Sequence, residues 1–144
     1  MPRDPLLAIH ARSRQEPLGL LLGVEIIQLK KGYAKVGLTA RQRHLDGQGW
    51  VHGGVVFALL DEAFQYACNS HGQIAVALQL AVYFLDRARA GQRLLAEVGE
   101  VNLTRKTALY QGSVWVDPQG TPLARAQAVG FRVGRPLPFL ETEE

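Results

Sequence analysis

The sequence predicts an α+β fold in which an antiparallel β-sheet wraps around one long central helix. Three observations lead there. One long helical run opens at His52-Gly53-Gly54 and closes at Ser70-His71-Gly72. Strand-like runs lie on both sides of it, two before and three or four after. Glycine-, proline- and aspartate-bearing breaks separate those runs, and strands gathered around a single helix suit an antiparallel sheet.

Taken in order, Asp4-Pro5 reads as a helix cap followed by proline at the first helical position, so a short helix is expected over Pro5–Ser13. From Leu21 to Ala40 the pattern changes to a hairpin turned at Lys30-Lys31-Gly32. Its first strand alternates imperfectly, and its second, Tyr33–Thr39, alternates well. Arg41–Val51 is loop-like, with Asp46-Gly47-Gln48-Gly49 at its centre. The helix follows over Gly53–Asn69. Strands are expected at Ile74–Leu85, Arg93–Thr104, Thr107–Val116 and Pro122–Val133, with Asp117-Pro118-Gln119-Gly120 as a turn. Pro136–Glu144 is expected to be a loose tail. One sheet on one helix leaves a sheet face or edge uncovered, which points to a homo-oligomer.

The 144 residues suit a single domain over 1–144, with its core at about 20–134. Hydrophobic residues make up 47% and charged residues 20%, a globular composition. The net charge of +3 is too small to argue for nucleic acid. Cys68 is the only cysteine, which excludes an internal disulfide or a cysteine-rich zinc site. The apolar stretch near the N-terminus is too short for a signal peptide, and no run approaches the roughly 20 apolar residues that span a bilayer. A reducing cytoplasm is the expected location, with no membrane partner.

On the helix, Gly54, Phe57, Asp61, Phe64 and Cys68 are spaced three and four apart and share one stripe. A carboxylate on an apolar stripe is costly without a partner, and desolvation raises its pKa towards the useful range of a base or nucleophile. Alternatively, Asp61 is a buried acid that hydrogen-bonds a nearby loop. The adjacent Glu62 falls on a more polar stripe and is expected to be inert. At the helix start, Gly53 and Gly54 permit close approach of a ligand, and the free amides there can polarise a carbonyl. The other reading is a glycine hinge that only packs. Gly53 and Asp61 are separated by about 12 Å of helix rise. If both act on one carbonyl, Asp61 must come from a second, antiparallel copy of the helix, which places the site at a two-fold interface.

His52-Gly53-Gly54 followed by Phe57-Ala-Leu-Leu-Asp61-Glu-Ala-Phe-Gln-Tyr-Ala-Cys-Asn-Ser70 resembles the hotdog-fold acyl-CoA thioesterases of the phenylacetate-pathway (PaaI) type. Val82-Tyr-Phe-Leu85 with Ala90-Gly91, Val101-Asn-Leu-Thr-Arg-Lys-Thr-Ala-Leu-Tyr110 and Gly130-Phe-Arg-Val133 continue the match, over about residues 20–134. The resemblance implies hydrolysis of an acyl-CoA thioester, aryl-acetyl or medium-chain. The Gly53 and Gly54 amides would polarise the carbonyl, and a partner copy's carboxylate at position 61 would act as nucleophile or as the base that activates water. His52 would shape the turn. Many relatives carry Asn in the preceding loop, where this chain has Asp46, or where Gln48 takes over the contact. Relatives also place Ser or Thr in the strand after the helix; here that stretch is Ala77-Leu78-Gln79, with Gln79 as a substitute. The common Arg-Pro after Phe-Leu is replaced by Asp86-Arg87.

Phe57, Phe64 and Trp50 are expected around the acyl group. Basic residues gather at Lys30, Lys31, Lys35, Arg41 and Arg43, and at Arg87, Arg89, Arg93, Arg105 and Lys106. Arg105-Lys106-Thr107 is the leading candidate for the CoA phosphates, with a solvated turn as the alternative. Cys68 and Trp115 read as packing residues, and His10, His44 and His71 lack metal spacing. No metal and no cofactor are expected, coenzyme A being part of the substrate. A dimer with shared sites, assembled into a tetramer, is expected. A non-catalytic acyl-CoA sensor of the same fold is the alternative function; no dehydratase, dinucleotide or phosphate-loop motif is present.

Overall fold

The structure, a computed structural model, describes residues 3–140. Helix α1 spans Pro5–Ser13, with the Asp4 carboxylate accepting from the Leu6 amide at 2.8 Å and Pro5 opening the helix. A second helix, α2, spans Pro17–Leu22 and was not expected. It repeats the same punctuation. The Glu16 carboxylate accepts from the Gly19 amide at 2.7 Å, Pro17 opens the helix, and Gly23 ends it at φ 83°. The hairpin therefore starts later than Leu21.

Strands β1 (Glu25–Lys30) and β2 (Tyr33–Thr39) form that hairpin. A register shift between Ile26 and Gln28 explains the imperfect alternation: Ile26 and Leu29, three apart, both pack on the core. The central helix, α3, spans Gly53–Asn69 as expected. Strands β3 (Gln73–Phe84), β4 (Arg93–Leu103), β5 (Thr107–Val116) and β6 (Ala124–Pro136) follow. All neighbours in the sheet, ordered β1-β2-β4-β5-β6-β3, pair antiparallel.

The core lies between α3 and the concave face of the sheet. Val56, Leu59, Leu60, Ala63 and Ala67 face Val36, Leu38, Leu94, Ala96, Val98 and Val114. Gly112 makes the close approach possible. A Cβ there would come within 2.9 Å of the Glu97 carbonyl oxygen and 3.2 Å of a Leu60 methyl. Trp115 is buried, as expected, with the Lys35 ammonium over its ring.

The expected loose tail is ordered up to Leu140. Pro138–Leu140 form a 3-10 turn, Leu137 and Leu140 are buried, and the Leu140 carbonyl accepts from the Arg3 amide at 2.9 Å. Two apolar side chains three apart dock this segment against α1. The rest of that tail, 141–144, falls outside the described residues.

Two edges remain, β1 and β3. On β3, Val76 is 47% and Leu78 62% exposed, and Leu78 sits at a register shift between Ala77 and Gln79. On the convex face, Leu109 and Phe131 are exposed, and Val101 and Leu103 are exposed near the end of β4. Among the described residues, no helix is long and apolar enough to cross a membrane.

Candidate active site

The loop before α3 is built by Asp46. Its Oδ1 accepts from the amides of Gln48 at 2.8 Å and Trp50 at 3.1 Å, while its own amide donates to the Trp50 carbonyl at 2.7 Å. Those amide bonds, Gln48's first, hold the carboxyl below the usual carboxylate range, so it is ionised at neutral pH. His44 anchors the loop from beneath. Its Nδ1 accepts from the Arg41 amide and its Nε2 meets the Leu22 carbonyl, each at 2.8 Å, so both ring nitrogens serve structure.

The chain then enters α3. The His52 carbonyl accepts from Val55 and Val56, and His52 Nδ1 accepts from the Gly54 amide at 2.8 Å. Of the first turn, only the Gly53 amide has no acceptor among the described residues. The expected pair of glycine donors is thus split: one is capped and one is free. A cavity of about 280 Å³ opens in front of Gly53, lined by Asp46, Gln48, Trp50, Phe84 and Arg87 among others. Phe84 lies against Gly53, 3.5 Å from where a Cβ would stand. The guanidiniums of Arg87 and Arg89 sit 5.2 and 5.1 Å from the Trp50 ring centroid. The sequence brought Asp46, Gln48, Trp50 and Gly53 to notice and counted Arg87 and Arg89 among the gathered basic residues, but it gave neither the convergence of those two on Trp50 nor Phe84 as a wall of the cavity. The Arg-Ala-Arg spacing, which puts both side chains on one side of an extended segment, is the available signal.

Asp61 is exposed on α3, two turns further along. Its carboxyl is nevertheless pushed up, by partial burial first and by the Glu16 charge second. The expected apolar stripe is only half apolar in its surroundings. Phe57 and Asp61 stand on the flank turned away from the sheet, whereas Phe64 and Cys68 are roofed by β6 at Gly130. Phe64 is therefore a core residue, 1% exposed, with its ring edge-on to Tyr110 at 5.4 Å, and does not line a substrate cavity. The Cys68 thiol is pushed up to about 12, mainly by burial, and fits the expected packing role.

Glu62 also departs from expectation. It is 5% exposed, accepts from the Tyr66 hydroxyl at 2.9 Å, and is pushed up to about 7, chiefly by burial and then by Glu16. Its flank of α3 is covered by α2, the helix missing from the expected elements; Gly19 of α2 lies between the Glu16 and Glu62 carboxylates.

Gln79 is exposed on the β3 edge and paired with Val129. Arg105 and Lys106 form the β4–β5 turn and Thr107 opens β5; the Thr104 hydroxyl accepts from the Thr107 amide and the Lys106 carbonyl accepts from the Arg132 amide. That turn stands at the far end of β4 from the cavity, roughly 30 Å along the strand, so one chain does not bring the two together. Among the described residues, no three His, Cys, Asp or Glu side chains are placed to hold a metal ion.

Residues 48–123 match the model of the thioesterase superfamily. The acyl-coenzyme A thioesterase PaaI of Escherichia coli is 34% identical over 125 residues, covering 87% of this chain and 89% of that protein. Its solved structure superposes with a TM-score of 0.87 over 92% of this chain and 96% of that one, at 31% identity. A mutant of the phenylacetic acid degradation protein PaaI of Thermus thermophilus superposes at 0.78 with 37% identity, covering 82% of this chain and all of that one. A Streptococcus mutans protein solved bound to acetyl CoA superposes at 0.74 with 25% identity, over 79% of this chain and 91% of that one. The sheet wrapped on α3 is the hotdog fold expected from the sequence, and the chain belongs to the thioesterase superfamily, among the acyl-CoA thioesterases of the PaaI type.

Proposed function

We propose that this protein hydrolyses an aryl-acetyl- or medium-chain acyl-CoA to the free acid and CoA, at a site shared by two copies of the chain. The observation that carries the reading is the free Gly53 amide. It faces a cavity at the positive end of a 17-residue helix, where a thioester oxygen would gain a donor as it becomes an oxyanion. Asp61 of a second copy would supply the carboxylate. As a base it takes a proton from water while the oxygen attacks the carbonyl carbon. As a nucleophile it forms a mixed anhydride that water then opens. Either way the C–S bond breaks and CoA leaves as a thiolate that takes up a proton. The exposed Asp61 and Phe57 flank and the exposed β3 edge support pairing of two copies there. The exposed convex-face residues Leu109 and Phe131 support two such pairs forming a tetramer.

Arg87 and Arg89, held against Trp50, are suited to CoA phosphates. A partner's β4–β5 turn, with Arg105 and Lys106, would add charge there. The relative solved with acetyl CoA supports a CoA ligand. The single buried Cys68 suits a reducing cytoplasm. A second reading, acyl-CoA binding without hydrolysis, is favoured by one observation: the ionised Asp46 lines the same cavity as Gly53 and opposes a developing oxyanion.

A panel of acyl-CoA thioesters tested with wild type and Asp61→Asn decides between them. Hydrolysis lost in Asp61→Asn with binding retained supports the enzyme. Tight binding without turnover in wild type supports the sensor. A strict monomer in gel filtration that still turns over substrate overturns the shared site.

A further inference from the structure

Three carboxyls gather where α2 lies against α3. Glu16 caps α2, its Oε2 accepting from the Gly19 amide at 2.7 Å. Glu62 is 5% exposed, and its Oε2 accepts from the Tyr66 hydroxyl at 2.9 Å. The two carboxyls meet beside Gly19: a Cβ there would stand 2.5 Å from Glu16 Oε2 and 3.0 Å from Glu62 Oε2. Only glycine leaves them this room, and they are in hydrogen-bond contact. Asp61 precedes Glu62 in the chain and lies close enough to Glu16 to feel its charge.

No cation neutralises the group. Helix α2 itself, Pro17–Leu22, has no titratable side chain. Strands β1 and β2 turn Ile26, Leu29, Ala34, Val36 and Leu38 to the core. Arg12 of α1 borders a groove with Glu16 and Tyr66, but its guanidinium lies over the Phe139 ring, 5.7 Å from the centroid. Arg43 reaches the far end of α2, beside Gly23. Among the described residues, the two ion pairs, Arg93–Glu25 and His71–Glu100, include none of the three acids. Two carboxyls in contact without a cation do not both ionise readily, so one proton stays between them. Burial favours leaving it on Glu62, whose carboxyl is pushed up to about 7, first by that burial and next by Glu16.

Building on the thioesterase reading above, we propose that Glu16 and Glu62 are positioning residues for the reaction: they share one proton, present a single negative charge to the flank of Asp61, and so make Asp61 a stronger base. A like charge nearby disfavours the ionised carboxylate, which then takes a proton from water more readily or attacks a carbonyl more strongly. Sharing the proton limits the cost. Two full charges there would repel an anionic substrate and each other beside Gly19. The pair belongs to the chain that supplies the carboxylate, so on the shared-site arrangement it acts through Asp61 and touches no substrate.

The test combines carboxyl-carbon NMR titrations of Asp61 and Glu62 with pH profiles of kcat/KM on phenylacetyl-CoA and butyryl-CoA. It uses wild type, Glu16→Gln, Glu16→Gln/Glu62→Gln and Glu16→Asp, with thermal melts to verify folding. Glutamine keeps an acceptor for the Gly19 amide and the Tyr66 hydroxyl while removing the charge. In Glu16→Gln the Glu62 midpoint is expected to fall by about one pH unit or more. Glu16→Asp keeps the charge and caps a helix well, and is expected to hold that midpoint above its value in Glu16→Gln. In the double variant the Asp61 midpoint and the acid limb of kcat/KM are both expected to fall, by about half a unit or more. Loss of a merely structural contact would move the melts and neither midpoint. A Glu62 midpoint unmoved in Glu16→Gln overturns the shared proton. An Asp61 midpoint unmoved in the folded double variant, or one that falls while the acid limb stays, overturns the role in the reaction. If wild type hydrolyses neither thioester, the thioesterase reading fails, and the two midpoints alone decide whether the pair acts on Asp61.

Discussion

His52 Nδ1 accepts the Gly54 amide at 2.8 Å, so the residue before α3 closes the helix's first turn and, among the described residues, leaves Gly53 as its one donor without an acceptor. As an acceptor, that nitrogen carries no proton. The two glycines, interchangeable in the sequence, have separate tasks.

This separation makes Gly53→Pro informative. Proline at the first helical position keeps the helix and deletes the N–H, while its ring adds carbons beside Phe84 that Gly53→Ala controls for in part. His52, at φ −61° and ψ 135°, already has the backbone a residue before proline requires. We expect folded protein with kcat/KM on acyl-CoA lowered about a hundredfold or more, the cost of one oxyanion donor. His52→Ala should instead cost about 1 kcal/mol in a urea melt, and His52→Asn, itself a good cap, much less.

Asp46→Asn separates loop building from charge. Asn keeps an Oδ1 acceptor for the Gln48 and Trp50 amides and removes the anion beside Gly53. We expect kcat/KM to rise with the melt unchanged. Asp46→Ala, which loses the acceptor, should lower both.

Glu62 predicts an unusual pH dependence. Its folded pKa, about 7, lies above the ordinary 4.5, so the folded state binds more protons across that window. Its contribution is present below 4.5 and is lost as the pH rises through about 7. Urea midpoints for wild type should fall between pH 5 and pH 8. Glu62→Gln, which retains an acceptor for Tyr66, should be flatter across that range and more stable at pH 8.

Val76→Lys places a charge on the exposed β3 edge. If two copies pair there, the variant should elute as a monomer in gel filtration, keep its far-ultraviolet spectrum and lose hydrolysis. An unchanged elution volume would place the interface elsewhere.

Periodicity and punctuation made the sheet and α3 legible, because Gly and Pro breaks sit at nearly every boundary. Helix α2 escaped because Leu20-Leu21-Leu22 blends into the apolar run that follows, although Glu16-Pro17 and Gly23 mark its ends. Without α2, Glu62 looks solvated, because its burial depends on a helix some forty residues earlier in the chain. Asp61 stood out from its neighbours on a helical wheel, yet a wheel shows a stripe without showing what covers it. Trp50, Arg87 and Arg89 meet across a long sequence interval through the Leu45–Val51 loop and the segment after β3, and no local pattern reports such a contact.

The two-turn interval between Gly53 and Asp61 has a consequence that can be read genetically. On the proposed arrangement, each pair of chains holds two sites, and each site draws one group from either chain. Gly53→Pro and Asp61→Asn chains would each be inactive alone. Co-expressed, a mixed pair would hold one doubly damaged site and one that is whole. Two dead alleles would then complement each other within a single assembly, whereas a site contained in one chain would give no rescue.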